Sequence, residues 1–107
     1  MQSKYKAVAT TVDNIVFHSA KEANRYLELK ALLRSAIITD LDQQPKFPIV
    51  INGHKCCVYT GDFQYLDEQY RVVVEDVKGY KAGGAYAMFR LKAKLVEAVH
   101  GVRILET

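Results

Sequence analysis

Apolar positions along this chain recur with two periods, one helical and one of strands. From Ser19 onward, "SAKEANRYLELKALLRSA" places Tyr26, Leu29, Leu33 and Ala36 at helical spacing as a core-facing stripe. "SAKE" is a capping box, in which the Ser19 hydroxyl can accept from the backbone at Glu22 while Glu22 reaches back to Ser19. Phe17, just ahead of the cap, is placed to staple against Ala23 or Tyr26. A loop holding Asp40, Asp42, Gln44 and Pro45 follows. "KFPIVING" then reads as a strand entering an Asn52-Gly53 turn, and "HKCCVYTGDFQY" returns as a second strand. "LDEQ" is a polar turn, "YRVVVEDVK" a third strand rich in β-branched residues, and "YKAGG" a short loop after Gly79. The second helix, "AYAMFRLKAKLVEAVH", stops at Gly101, a natural left-handed cap, and "VRIL" closes the chain as a short strand.

The predicted order is therefore α-β-β-β-α-β. Three strands joined by tight turns suggest an antiparallel meander, and a strand arriving after a helical crossover should lie parallel to a neighbour. With one helix on each face, this is a three-layer α/β domain around a small mixed sheet. A length of 107 residues accommodates one such domain, residues 1–107, with residues 1–15 as a basic segment at its edge.

Composition narrows the class without naming an activity. Half of the residues are hydrophobic and a quarter charged, which is globular. No apolar run reaches the length of a membrane span, and "MQSKYKAVATT" lacks the apolar core of a secretory signal, so cytosolic residence without a membrane partner is expected. A net charge of +3 suits nucleic acid but does not argue for it alone. Clustering matters more: Lys78 and Lys81 flank the "YKAGG" loop, and Arg90, Lys92 and Lys94 share the second helix. Solvated surface charge is the plain alternative for both groups. Cys56 and Cys57 are adjacent, a spacing that suits neither a disulfide framework nor a zinc site; one is expected to fill core and the other to be incidental.

"VVVEDVKG", residues 72–79, ends a buried-looking strand with three ionisable groups, which are costly to bury unless paired or bound. Alternation separates the two adjacent carboxylates. Asp76 and Lys78 share a face with Val72 and Val74, whereas Glu75 lies on the other with Val73 and Val77. Asp76 with Lys78 is therefore the pair able to share one site, and Glu75 is left for a salt bridge or supporting contact. Asp62 joins them if the hairpin through "LDEQ" pairs residues of even sum, and faces Glu75 if the sum is odd; turn chemistry does not choose. Each residue also has a structural reading. Glu22 can be only the capping-box acid, Asp62 a strand-end residue, and Asp76 with Lys78 an ordinary ion pair. Their joint arrangement favours a site: two or three carboxylates can hold a hard divalent cation beside a phosphate, with an ammonium nearby for the developing charge.

The blocks "FHSAKEANRYLELKALL", "LDQQPKF", "YTGDFQY", "VVVEDVKG" and "FRLKAKLVEA" together resemble a small phage- and prophage-associated family of endodeoxyribonuclease-like proteins. That family belongs with the restriction-endonuclease-like, PD-(D/E)xK nucleases, and the resemblance spans roughly Lys4 to Glu106. It implies the same α-β-β-β-α-β restriction-endonuclease-like fold. Carried over by position, it implies metal ligands at Glu22, Asp62 and Asp76 and a catalytic lysine at Lys78, with Mg²⁺ as cofactor and Mn²⁺ as a substitute. Lys81, Arg90, Lys92 and Lys94 would contact DNA phosphates, and Glu75 and Gln44 would support the site. This sequence has Asp rather than the commoner Glu before x-Lys, and Gly61 where Pro often precedes the first Asp. The expectation is a Mg²⁺-dependent DNA endonuclease of a bacterial cytoplasm, selective for DNA structure such as a Holliday junction, with a homodimer suited to cutting both strands. The alternative is an inactive DNA-binding or assembly module on the same fold.

Overall fold

The capping sequence does start the first helix. In the computed structural model, which describes residues 9–79 and 81–107, the Glu22 N–H donates to Ser19 Oγ at 3.1 Å and α1 runs Ala20–Arg34. Ala23, Tyr26 and Leu29 are its buried face, and the Phe17 ring packs tilted against Tyr26 at 5.1 Å between centroids, as a staple would. Leu33 is only partly buried, and Ala36 leaves the stripe: the helix has ended, and Ala36 is exposed with a φ of 59°.

Several strands depart from the predicted pattern. Thr10–Val12 (β1) and Ile15–Phe17 (β2) form a hairpin across Asp13-Asn14, both residues at positive φ. Tyr26 Oη donates to Asp13 Oδ2 at 2.9 Å and ties this hairpin to α1. Residues 1–8 of the basic segment, and Tyr80 of "YKAGG", lie outside the described residues. The expected loop after α1 is instead a strand, Thr39–Gln43 (β3), interrupted by a bulge. Lys46–Ile51 (β4) and His54–Thr60 (β5) make the Asn52-Gly53 hairpin, whose turn residues take φ of 51° and 79°. Ile49 faces Cys57 and Val50 faces Lys55, so Cys56 is the extra residue of a bulge; it is exposed, while Cys57 packs at the core edge, and both thiols are free.

"HKCCVYTGDFQY" is two strands rather than one. It breaks at Gly61-Asp62, and Phe63–Leu66 (β6) enters a different sheet from β5. Val72–Asp76 (β7) is the third predicted strand, with Val77 and Lys78 just past its end. The second helix, α2, spans Gly83–His100 and ends with Gly101 at φ 70°, its N–H on the Glu97 carbonyl. Ile104–Glu106 (β8) lies parallel to β7, as the crossover requires.

The main sheet has the order β3-β6-β7-β8, an antiparallel three-strand meander with β8 parallel to β7, so α1, these strands and α2 keep the expected α-β-β-β-α-β order. The correction lies in which segments supply the strands: β3 is the first, β6 the second, and the β4-β5 pair stands apart from the sheet, as does β1-β2 ahead of α1. Alternate residues of β6 and β7 feed two cores. Phe63, Tyr65 and Val73 pack against α1, with Phe17, Tyr26, Leu29 and Ile38. Val74 packs on the other face with Phe89 and Val96 of α2 and with Ile49 and Tyr59 of the β4-β5 hairpin. The mixed α/β class stands, and Glu75 and Asp76 are fixed on opposite faces of one central strand.

Candidate active site

The turn that the sequence left open sets the register. Asp67 and Arg71 close a three-residue loop: Asp67 N donates to Arg71 O, Tyr70 N donates to Asp67 O, and Tyr70 takes a φ of 59°. Asp67 Oδ1 accepts the N–H groups of Gln69 and Arg71, both at 2.9 Å, so the carboxylate builds the turn. Gln64 then faces Val74 and Phe63 faces Glu75, an even-sum register that carries Asp62 to the side of Asp76.

Asp62 sits where the chain passes between sheets and is held from three directions. Its N–H donates to Glu75 O at 2.9 Å and its carbonyl accepts from Gln44 N at 3.0 Å. Its Oδ2 accepts from Val77 N at 2.7 Å. Gly61 makes this passage feasible through close approach, not through its φ. A Cβ there would stand 2.9 Å from Val74 Cγ1 and 3.3 Å from Pro45 Cγ. The support that Gln44 gives is thus through its backbone; the residue itself is exposed, with a φ of 52°.

Asp76 and Lys78 meet as strand alternation requires. Lys78 Nζ lies 2.9 Å from Asp76 Oδ1, and Tyr59 Oη donates to Asp76 Oδ2 at 2.6 Å. Although β7 ends at Asp76, its parallel pairing continues: Thr107 N donates to Asp76 O and Lys78 N donates to Thr107 O. Lys78 therefore keeps its side of the strand. Glu22, in the first turn of α1, approaches this strand end, where the neighbouring Lys21 Nζ donates to Lys78 O.

The electrostatics tie the three acids together. Burial pushes Asp62 up to about 7; the Val77 N–H and Lys78 oppose this, and the negative charges of Asp76 and Glu22 add to it. Glu22 is also raised, by burial first and by Asp76, against a lowering from His18. Glu22, Asp62, Asp76 and Lys78 thus form one electrostatic cluster with an excess of negative charge. Among the described residues, no three of the acids, histidines and cysteines are assembled as a ready-made ligand set for a metal ion. The donor chemistry, carboxylates that repel one another, suits a hard divalent cation.

Glu75 belongs to the opposite face and to a different task. It is fully buried, its two oxygens are gripped by Arg25 Nε and Nη2 at 2.7 Å each, and Tyr65 Oη donates to it as well. Burial would raise its carboxyl, but Arg25 and Tyr65 outweigh that and hold it below the ordinary carboxylate range. Arg25 lies on α1, three residues after Glu22. The same strand end therefore offers one acid to the cluster and anchors α1 with the next.

The basic residues separate. Lys92 lines a cleft of about 320 Å³ together with Tyr59, Thr60, Asp76, Lys78, Met88 and Phe89. Arg90 and Lys94 line a second hollow on another side of α2, with Arg103, Glu97 and Glu106. Lys81 Nζ stands 4.0 Å from Glu106. A larger hollow of about 800 Å³, beside Arg71, Val72 and Arg103, lies at the far end of β7 from the acids. Tyr59, Phe89 and Arg25 were not singled out in the sequence. The β4-β5 hairpin and α2 bring the first two in from distant segments, a placement that local pattern does not encode.

No match emerges among curated proteins or among solved structures. A family model does match, over residues 2–103, and its description reads "Protein of unknown function (DUF1064)".

Proposed function

Because the chain belongs to the DUF1064 family, described as one of unknown function, its activity has to come from the site itself, and we propose that the domain is a Mg²⁺-dependent DNA endonuclease. The observation that carries this reading is the even-sum register, which gathers Asp62, Asp76 and Lys78 at one strand end beside Glu22. Asp62, Asp76 and Glu22 would hold the ion, with Mn²⁺ able to replace Mg²⁺. When bound, such an ion supplies Lewis-acid stabilisation of charge building on a phosphate. Lys78 would orient the attacking water or stabilise the same charge, and Lys92, across the cleft, would hold a neighbouring phosphate. Val77 N–H and Tyr59 Oη keep the two aspartates from swinging away.

Among the described residues, no basic side chains form a base-reading constellation, so selectivity would rest on DNA shape, with branched DNA as the substrate class. Arg90, Lys94 and Lys81, on other sides of α2 and its approach, would meet phosphates outside the cleft. A homodimer would supply two sites for two strands. The restriction-endonuclease-like fold, a phage or prophage origin and a bacterial cytoplasmic setting complete this reading. No helix among the described residues is long and apolar enough to cross a membrane.

One observation favours the rival reading, an inactive DNA-binding or assembly module. Both Asp76 oxygens are already engaged, by Lys78 and Tyr59. Incubation of supercoiled plasmid and a four-way junction with Mg²⁺ or Mn²⁺ separates the two. The endonuclease cuts at least one of these DNAs, and Asp62→Ala and Lys78→Ala each lower the rate on the order of 10²-fold or more. Binding of DNA without cleavage under every metal condition would support the module instead.

A further inference from the structure

Between them, Tyr59 and Phe89 enclose the Asp76–Lys78 pair. Tyr59 Oη takes Asp76 Oδ2 at 2.6 Å, which leaves Oδ1 turned toward Lys78 Nζ at 2.9 Å. The Lys78 ammonium in turn lies 3.8 Å from the centroid of the Phe89 ring, well inside the range of a cation–π contact. The two rings brace each other at 6.3 Å and 47°, and Tyr86 backs Phe89 from 5.9 Å. Tyr59 and Phe89 are both buried, so neither ring is free to drift. Burial and the Asp76 contact raise the Tyr59 phenol well above its ordinary value, which keeps it a hydrogen-bond donor.

A lysine at the mouth of a cleft normally samples many rotamers, and holding it in one costs side-chain entropy. Here a carboxylate on one side and an aromatic face on the other confine it. The rings come from β5 and α2, so the clamp also ties the β4-β5 hairpin and the second helix to the strand end that carries the acids.

We infer that Tyr59 and Phe89 are positioning residues: Tyr59 sets the rotation of the Asp76 carboxylate, and the face of Phe89 fixes the Lys78 ammonium against it. The inference rests on the reading of Asp76 and Lys78 as the working pair of a nuclease. Neither ring needs to touch DNA. Each acts through the group it holds.

The test uses Tyr59→Phe, which removes only the hydroxyl, Phe89→Leu, which removes the ring face while keeping an apolar side chain, and Phe89→Trp, which keeps an aromatic face. Two readouts are taken: kcat and KM for plasmid nicking in Mg²⁺, and the NMR position of the Lys78 ε-methylene in lysine-labelled protein. The expected result is a kcat lowered on the order of ten-fold in Tyr59→Phe and Phe89→Leu, with KM within about two-fold, and recovery in Phe89→Trp. The Lys78 ε-methylene should resonate upfield of its random-coil position in the wild type and in Tyr59→Phe, and return toward that position in Phe89→Leu. A random-coil position in the wild type, or unchanged kcat in both ring variants, overturns the inference. Should the wild type cut no DNA, the nuclease reading fails, and the lysine signal still decides whether the clamp exists. Should Phe89→Leu fail to fold, Tyr59→Phe and the wild-type signal carry the decision.

Discussion

Arg25→Ala should unfold this domain more readily than any single change at the acidic cluster, by about 3–5 kcal/mol, because it leaves the Glu75 carboxylate buried without its counter-charge. Glu75 is wholly enclosed, and Arg25 meets it with two short parallel bonds. Tyr65 Oη alone cannot replace that fork. For a chain of this length, the loss is a large share of total stability and lowers the melting temperature on the order of 15 °C. Chemical denaturation at neutral pH measures it. The triple change Arg25→Met, Glu75→Leu, Tyr65→Phe, which removes the carboxylate together with the guanidinium and the phenol hydroxyl that hold it, should recover most of the loss, because apolar groups of similar volume carry no desolvation cost. An Arg25→Ala variant within about 1 kcal/mol of the wild type would mean that Glu75 finds water or another cation, and that the face assignment is wrong.

The second large effect concerns Asp62 and runs the other way. Its carboxyl is raised to about 7 in the folded chain from an ordinary value of 3.8, so folding favours the protonated form. For a raised group, the stabilising contribution is complete below pH 4, declines as pH climbs, and is gone once pH has risen through 7. Asp62→Asn keeps an oxygen for the Val77 N–H and removes the charge. In EDTA, this variant should match the wild type near pH 4 and exceed it by on the order of 2–4 kcal/mol at pH 8. Adding Mg²⁺ at pH 8 should then raise the melting temperature of the wild type and leave Asp62→Asn unmoved, since a ligand of the folded state stabilises by mass action. A gap of equal size at both pH values would show that burial beside Asp76 and Glu22 does not raise the Asp62 carboxyl.

The first helix, the Asn52-Gly53 hairpin, the Gly101 cap and the parallel last strand were legible because each rests on local chemistry. The order of carboxylates along β7 was legible for the same reason: alternation is a property of the strand itself. The hairpin register was not. A three-residue loop of this kind usually announces itself with Gly at its left-handed position, and here Tyr70 occupies it. The Asp67 side chain does the organising, a signal easily lost within a generic polar "LDEQ". "TDLDQ" gave no apolar alternation, and its bulge and the positive φ of Asp40 spoil the period that marks a strand. The β1-β2 hairpin was hidden because its Asp-Asn turn carries no Gly. Gly61-Asp62 interrupts what reads as one continuous strand, at a point where Pro45 and Val74, residues far off in sequence, pack too closely to admit a Cβ. Tyr59, Phe89 and Arg25 were missed on the same account. Their importance comes from the partner that tertiary packing presents to them.

On the proposed function, the two adjacent carboxylates of β7 divide between chemistry and architecture, Asp76 going to the acidic cluster and Glu75 to the Arg25 anchor. Asp76→Asn and Glu75→Gln are compared by single-turnover cleavage of a four-way junction in Mg²⁺, with the folded fraction of each variant measured alongside. Asp76→Asn should stay folded and lose cleavage on the order of 10³-fold. Glu75→Gln should lose stability, while its folded fraction cuts within about ten-fold of the wild-type rate. A folded Asp76→Asn that cuts at the wild-type rate, or a folded Glu75→Gln that has lost cleavage as completely as Asp76→Asn, would contradict the division.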